Sequence, residues 1–238
     1  MTIVALPDVH APFHSKAAIT IALEKIKKLK PDVVIQLGDL YDMYAMARFP
    51  RSHNLMTPAE EIVEARIVGE ELWKLVKRAA PKARRIQILG NHGTLRIQNK
   101  IFSQAPELES LVNYKQLWEF DGVETQDDFR NPLIIEHPIH GEIALMHGFL
   151  SGAGAHVRHA QMNVVHGHLH SAWVHWHKVQ GRGFFELNCG HLGDPETKAM
   201  SYTKSRWTKW HLGFGLIDDF GPKFVNLEAE VHAKLREE

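Results

Sequence analysis

Val33-Val34-Ile35-Gln36-Leu37-Gly38-Asp39-Leu40-Tyr41-Asp42 is the stretch whose reading decides the fold. Val33 to Leu37 form a mostly apolar, β-branched run that stops at a glycine. That is the pattern of a short strand covered on both faces. Gly38 lets the backbone turn sharply and approach whatever Asp39 holds. A carboxylate has two oxygens, so Asp39 could serve two metal ions, and Asp42 could brace a catalytic group. A Gly-Asp pair alone is common in plain surface turns. What gives this one weight is that the chain repeats the arrangement.

Upstream, Ile3-Val4-Ala5-Leu6 reads as a first buried strand, followed by Pro7-Asp8-Val9-His10. Asp8 and His10 fall two apart on extended backbone, so both side chains point the same way, an oxygen and a nitrogen together. Between the two strands, Ala18, Ala22, Ile26 and Leu29 form a helical stripe over Lys16 to Lys30 that Pro31 ends. This β-α-β order argues for parallel strands in one sheet. It brings Asp8, His10 and Asp39 to one edge, where α/β proteins place their sites.

Downstream, Thr57-Pro58-Ala59-Glu60 spells a capped helix start. The helix is expected to run to about Ala80, with Ile62, Ala65, Gly69, Leu72, Leu75 and Val76 inward and a purely structural role. Arg85 to Leu89 reads as a third strand, and Gly90-Asn91-His92 follows it. Residues 94 to 120 look helical in pieces. Leu133 to His137 and Glu142 to Met146 look like paired strands, the second ending in His147. Asn163-Val164-Val165 is another short strand, ending in His166-Gly167-His168-Leu169-His170, a second pair of ligand-type residues at period two. Ala172 to Val179 reads as a strand with Trp173, His175 and His177 on one face, those histidines being taken as non-ligating. Further strands are expected at Phe184 to Leu187, Phe214 to Asp218 and Phe224 to Leu227. Arg48, Arg51 and His53, and the basic-aromatic mixture Tyr202, Lys204, Arg206, Trp207, Lys209 and Trp210, could reach a substrate. Solvated loops and packed aromatics account for them as well.

Composition narrows the function. The 238 residues suit one α/β domain spanning 1–238. Lys plus Arg equals Asp plus Glu at 28 each, which argues mildly against a general nucleic-acid binder. The one cysteine, Cys189, excludes an internal disulfide or a Cys-rich zinc site. No apolar run reaches membrane-spanning length, and Thr2 to Leu6 read as a strand and not a signal peptide, so a cytoplasmic location is expected. The 17 histidines are the unusual feature, several following apolar runs. Histidine is the commonest metal ligand and carries protons near neutral pH.

Asp8-x-His10, Gly38-Asp39-x-x-Asp42, Gly90-Asn91-His92, His147 and Gly167-His168-x-His170 come in that order, each at an expected strand end. The combination closely resembles the calcineurin-like metallophosphoesterase superfamily over roughly residues 3 to 170, most of all its phage and bacterial single-domain members. The resemblance implies an α/β fold, a two-sheet β-sandwich flanked by helices. It implies two divalent metal ions, one on Asp8, His10, Asp39 and His170, the other on Asp39, Asn91, His147 and His168. It makes His92 the group that protonates the leaving oxygen and Asp42 the residue that orients His92. Mixed nitrogen and oxygen ligands suit transition metals, manganese foremost with iron, zinc or nickel as alternatives, rather than magnesium or calcium. The implied activity is hydrolysis of phosphomonoesters, phosphodiesters or both, with small or nucleotide substrates favoured. A nuclease using the same centre and a non-catalytic scaffold of the same fold are the alternatives. Two departures stand out. Gly93 follows Asn-His where the family usually has an acid. Met43 follows Asp42 where its protein phosphatases carry Arg, which weakens a phosphoprotein substrate.

Overall fold

A computed structural model of the chain describes residues 1–47, 56–98, 114–126, 128, 130–197, 199 and 209–237. β1 (Ile3–Leu6), β2 (Val33–Gln36), β3 (Arg84–Ile88) and β4 (Glu124–Gln126) lie side by side and parallel. β10 (Gly213–Asp218) joins β1 antiparallel and β11 (Gly221–Asn226) completes this sheet, in the order β11-β10-β1-β2-β3-β4. A second sheet runs β5-β6-β7-β9-β8, from β5 (Leu133–His137), β6 (Gly141–Met146), β7 (Asn163–His166), β8 (Ala172–Val179) and β9 (Arg182–Cys189). Its three central strands are parallel, and β5 and β8 are antiparallel edges.

The period of two in each strand sorts side chains between layers. Ile3, Ala5, Val33, Ile35, Leu37, Ile86 and Ile88 point to one side and meet Ile143, Leu145, Val165, Phe185 and Leu187 of the other sheet. Val4, Leu6 and Val34 point the opposite way, against α1 (Lys16–Leu29) and α2 (Pro58–Ala79). Behind the second sheet, Ala144, Met146 and Val164 meet Val157 of the short α3 (Ala155–Ala160). The result is the expected sandwich of two sheets with helices outside.

Helix α1 starts where Ser15 accepts the Ala18 N–H, and it ends at Lys30 in the left-handed conformation. Helix α2 has the expected capping box between Thr57 and Glu60. Its buried face differs from the expected stripe. Glu61 and Trp73 are buried, while Ile62 and Leu75 are only half-buried. Trp73 is drawn in because its Nε1–H reaches Gln87 Oε1 at 2.9 Å. Helix α3 and strand β4 were not anticipated; with six and three residues they are too short to set up a period. A last helix, α4 (Glu228–Lys234), follows β11. Among the described residues no helix is long and apolar enough to cross a membrane.

Candidate metal centre

The carboxyl ends of β1, β2, β3, β6 and β7 open on one edge of the sandwich, and each delivers part of one side-chain cluster. The chain must turn hard there. Asp8, His10, Asp39, His168 and His170 all have positive φ, between 30° and 72°. Non-glycine residues rarely adopt this conformation, and such strain gathers at functional sites. Gly38 has φ 100°, and a Cβ on it would lie 2.6 Å from the ring of His147, so glycine is what lets His147 close over the β2 turn. Gly90 has no room for a Cβ either, because the Asp39 carboxylate packs against it.

Two groups of ligand-type atoms form. In the first, Asp8 Oδ1 lies 3.2 Å from His170 Nε2, which lies 3.0 Å from His10 Nε2. In the second, His147 Nε2 lies 3.3 Å from Asp39 Oδ2, 2.8 Å from Asn91 Oδ1 and 3.2 Å from His168 Nδ1. Asp39 also comes within 4.8 Å of the ring nitrogens of His10 and His92, so it stands between the groups. Donor atoms bound at about 2.0–2.2 Å around one ion sit roughly 3 Å or a little more from each other, as these do. Among the described residues the buried Asp8 Oδ1 has no hydrogen-bond partner, an orphan that a cation would satisfy. All seven residues expected as metal ligands are therefore brought together, and the donor set fits a pair of divalent ions.

The surroundings orient the rings. His147 Nδ1 donates to the Leu37 carbonyl at 2.9 Å, leaving Nε2 for a cation. His10 Nδ1 donates to Asp42 Oδ1 at 2.9 Å, leaving its Nε2 likewise. His92 Nδ1 reaches the same oxygen at 3.1 Å. Asp42 therefore braces His10 as well as His92, a second task the spacing did not reveal. Burial alone would raise the buried acids, but histidines around them do the opposite. Asp8 comes down to about 2 beside His170, and the His10 and His92 hydrogen bonds hold Asp42 far below the carboxylate range. Burial would lower His147, yet the Asp39 charge lifts it to about 9. His168, half-buried beside that charged ring, falls to about 4.

Arg96, Glu61 and His191 were missed, while Trp210 was read only as part of the basic-aromatic mixture. Arg96 donates through Nη1 to the Asp42 carbonyl at 2.7 Å and through Nη2 to His92 Nε2 at 2.9 Å. It stands four residues beyond His92 in the π-helical turn His92–Arg96, the one sequence signal that could have found it. Glu61 accepts the Tyr44 and Ala45 N–H groups at 2.6 Å each and so pins the turn after Asp42. Trp210 packs edge-on against His170 with ring centroids 4.3 Å apart, and His191 lies 5.6 Å from it. Lys198, Tyr202, Lys204, Arg206 and Trp207 lie outside the described residues, as do Arg48, Arg51 and His53.

A second buried cluster lies beside the centre. His156 Nδ1 and His166 Nε2 each sit 3.5 Å from Glu186 Oε1, and His177 Nε2 sits 3.4 Å from Glu186 Oε2. His156 Nε2 accepts the N–H groups of Phe149 and Leu150, so the ring proton is on Nδ1, facing Glu186. A ring arranged that way turns its N–H toward the carboxylate instead of offering that nitrogen's lone pair to a metal. Glu186 also takes the Gly154 N–H, so the cluster braces the loop after β6 against β9.

Comparison with known proteins fits this architecture. The family described as calcineurin-like phosphoesterase matches residues 1–225. No curated protein sequence matches. Among solved structures, the phosphoesterase Yfce from E. coli is 16% identical, with 96% of this chain and 94% of that one covered at a TM-score of 0.49. A single mutant of Vps29 from Entamoeba histolytica is 16% identical, with 92% and 86% covered at 0.48. An archaeal phosphodiesterase is 15% identical, with 95% and 100% covered at 0.46.

Proposed function

The chain belongs to the calcineurin-like phosphoesterase family, and from that premise we propose that it is a dinuclear-metal phosphohydrolase acting on phosphomonoesters, phosphodiesters or both. One observation carries the reading. Two sets of ligand-type residues at strand ends meet at Asp39, and the His147 and His10 rings, donating from Nδ1, turn Nε2 toward the other donor atoms of their sets. Asp8, His10, Asp39 and His170 would hold one ion; Asp39, Asn91, His147 and His168 would hold the other. When bound, such a pair supplies Lewis acidity toward phosphoryl oxygens and an acidified water.

The protein's own groups do the rest. Asp42 fixes the ring planes of His10 and His92 through one oxygen. His92 keeps its proton on Nδ1 while Arg96 donates to Nε2. To protonate a leaving oxygen, Nε2 must first be released by Arg96 and gain a proton. Burial lowers the affinity of His92 for that proton, which makes the protonated ring a stronger acid. A scaffold that had lost catalysis would have no need to retain every ligand together with His92 and Asp42. The experiment is turnover of p-nitrophenyl phosphate and its bis ester by protein depleted of metal and then reloaded with manganese. Restored hydrolysis supports the reading, and hydrolysis that ignores chelation counts against it. A metal-loaded protein that cleaves DNA or RNA but neither small ester is a nuclease.

A further inference from the structure

Arg96 is placed to meet what enters the centre. Its side chain and that of His92 keep 14% and 11% exposure, against 0–2% for Asp8, His10, Asp39 and Asp42. With the half-buried Asn91 and His168, these two side chains stand at the mouth of the cluster. His92 Nε2 lies 3.7 Å from Asp39 Oδ2, so the guanidinium is one imidazole away from the shared carboxylate. Among the described residues, the Arg96–Asp42 ion pair is the one that brings a Lys or Arg to this cluster.

We propose that Arg96 is the anion clamp of the site and selects phosphomonoesters over phosphodiesters. The proposal rests on the phosphoesterase reading above. Arginine offers five donors in a rigid fork and no acceptor. In this structure Nη1 is anchored on the Asp42 carbonyl, and the Nη2 contact is to a neutral imidazole. A phosphate oxygen is the better acceptor, because charge-assisted bonds are about twice as strong as neutral ones. An arriving phosphate therefore draws Nη2 away from His92 while Nη1 keeps the side chain in place. A phosphomonoester presents three terminal oxygens and, near neutral pH, up to two charges. A phosphodiester has two such oxygens and one charge, its remaining positions carrying carbon. The added anionic oxygen is what the fork takes.

The test uses metal-loaded wild type, Arg96→Ala and Arg96→Lys, with metal content checked by elemental analysis. Binding of inorganic phosphate is measured by calorimetry, and kcat/KM for p-nitrophenyl phosphate and bis(p-nitrophenyl) phosphate. Arg96→Ala should keep its metals and bind phosphate roughly 10- to 100-fold more weakly, the usual worth of hydrogen bonds to a charged group. Its monoester kcat/KM should fall at least as far, its diester kcat/KM several-fold less, and Arg96→Lys should recover part of the difference. Equal losses on both esters would mean that Arg96 merely supports Asp42 and His92, and would overturn the clamp. So would phosphate binding that ignores the substitution or is absent from wild type. Arg96-dependent phosphate binding by a protein that hydrolyses neither ester would leave the clamp standing and remove the hydrolase reading.

Discussion

Gly93→Ala adds one methyl group at a position that looks tolerant. Gly93 lies in the π-turn after Asn91, and its φ is not positive, so alanine brings no backbone strain. Helix propensity alone would favour alanine by about 1 kcal/mol. The obstacle is Trp118. A Cβ on Gly93 would lie 2.6 Å from its Cη2 and 2.7 Å from its Cζ2, whereas carbons prefer roughly 3.5–4.0 Å. Trp118 is 1% exposed and packs on Tyr41 with centroids 4.2 Å apart, so it cannot step aside cheaply. Overpacking costs about 1–3 kcal/mol, and contacts this short against a pinned ring fall in the upper part of that range, about 2–3 kcal/mol. After the propensity gain, a net loss of about 1–2 kcal/mol is expected. With an m-value near 3 kcal/mol/M, the urea midpoint should fall by about 0.5 M. Trp118→Phe makes room, so Gly93→Ala in that background should cost at least about 1 kcal/mol less, a coupling within the usual range for touching residues. A Gly93→Ala protein as stable as wild type, or one equally destabilised beside Trp118→Phe, would refute the argument. The same contact bears on Gly93→Glu. The absent acid is not a gap, because the indole of Trp118 fills the space.

Asp42→Asn should lower both turnover and metal affinity, because Asp42 Oδ1 receives His10 as well as His92. A loss of about 10- to 100-fold in affinity at the Asp8–His10–His170 set is expected, readable by metal titration. Unchanged metal affinity with reduced turnover would restrict Asp42 to His92. In metal-free protein, burial opposes but the Asp39 charge raises His147 from 6.5 to about 9. A raised folded value contributes stability that is fully present below about 6.5 and lost as pH rises through 9. Chelator-treated protein should therefore show a falling urea midpoint between these pH values. Metal-loaded protein, whose His147 has given up that proton, should lack this component. A flat profile for the metal-free protein would show that His147 is neutral throughout.

Much of the fold was legible because its strands are short, apolar and punctuated. Val33 to Leu37 and Ile3 to Leu6 announce themselves by β-branching and a glycine or proline stop, and helices α1 and α2 by period and caps. Six of the seven ligand candidates were legible for the same reason, since each stands just past such a stop, and His147 directly follows an apolar run that Gly148 ends. What stayed hidden depends on tertiary contact. Nothing local marks Glu61 as buried; it is buried because the Tyr44 and Ala45 N–H groups need acceptors. Nothing local marks Gly93, whose demand comes from Trp118 25 positions along the chain. Trp210 reaches His170 across 40 residues, and the second task of Asp42 appears only when β1 and β2 are side by side.

The most direct test of the two-metal account is metal stoichiometry in wild type and Asp39→Ala, purified alike without chelator and assayed by elemental analysis. The account predicts up to two transition-metal ions per wild-type chain. Because Asp39 stands between both ligand sets, its removal should reduce occupancy of both ions and abolish phosphoester turnover. An Asp39→Ala protein that keeps both ions would contradict the shared carboxylate on which the account rests.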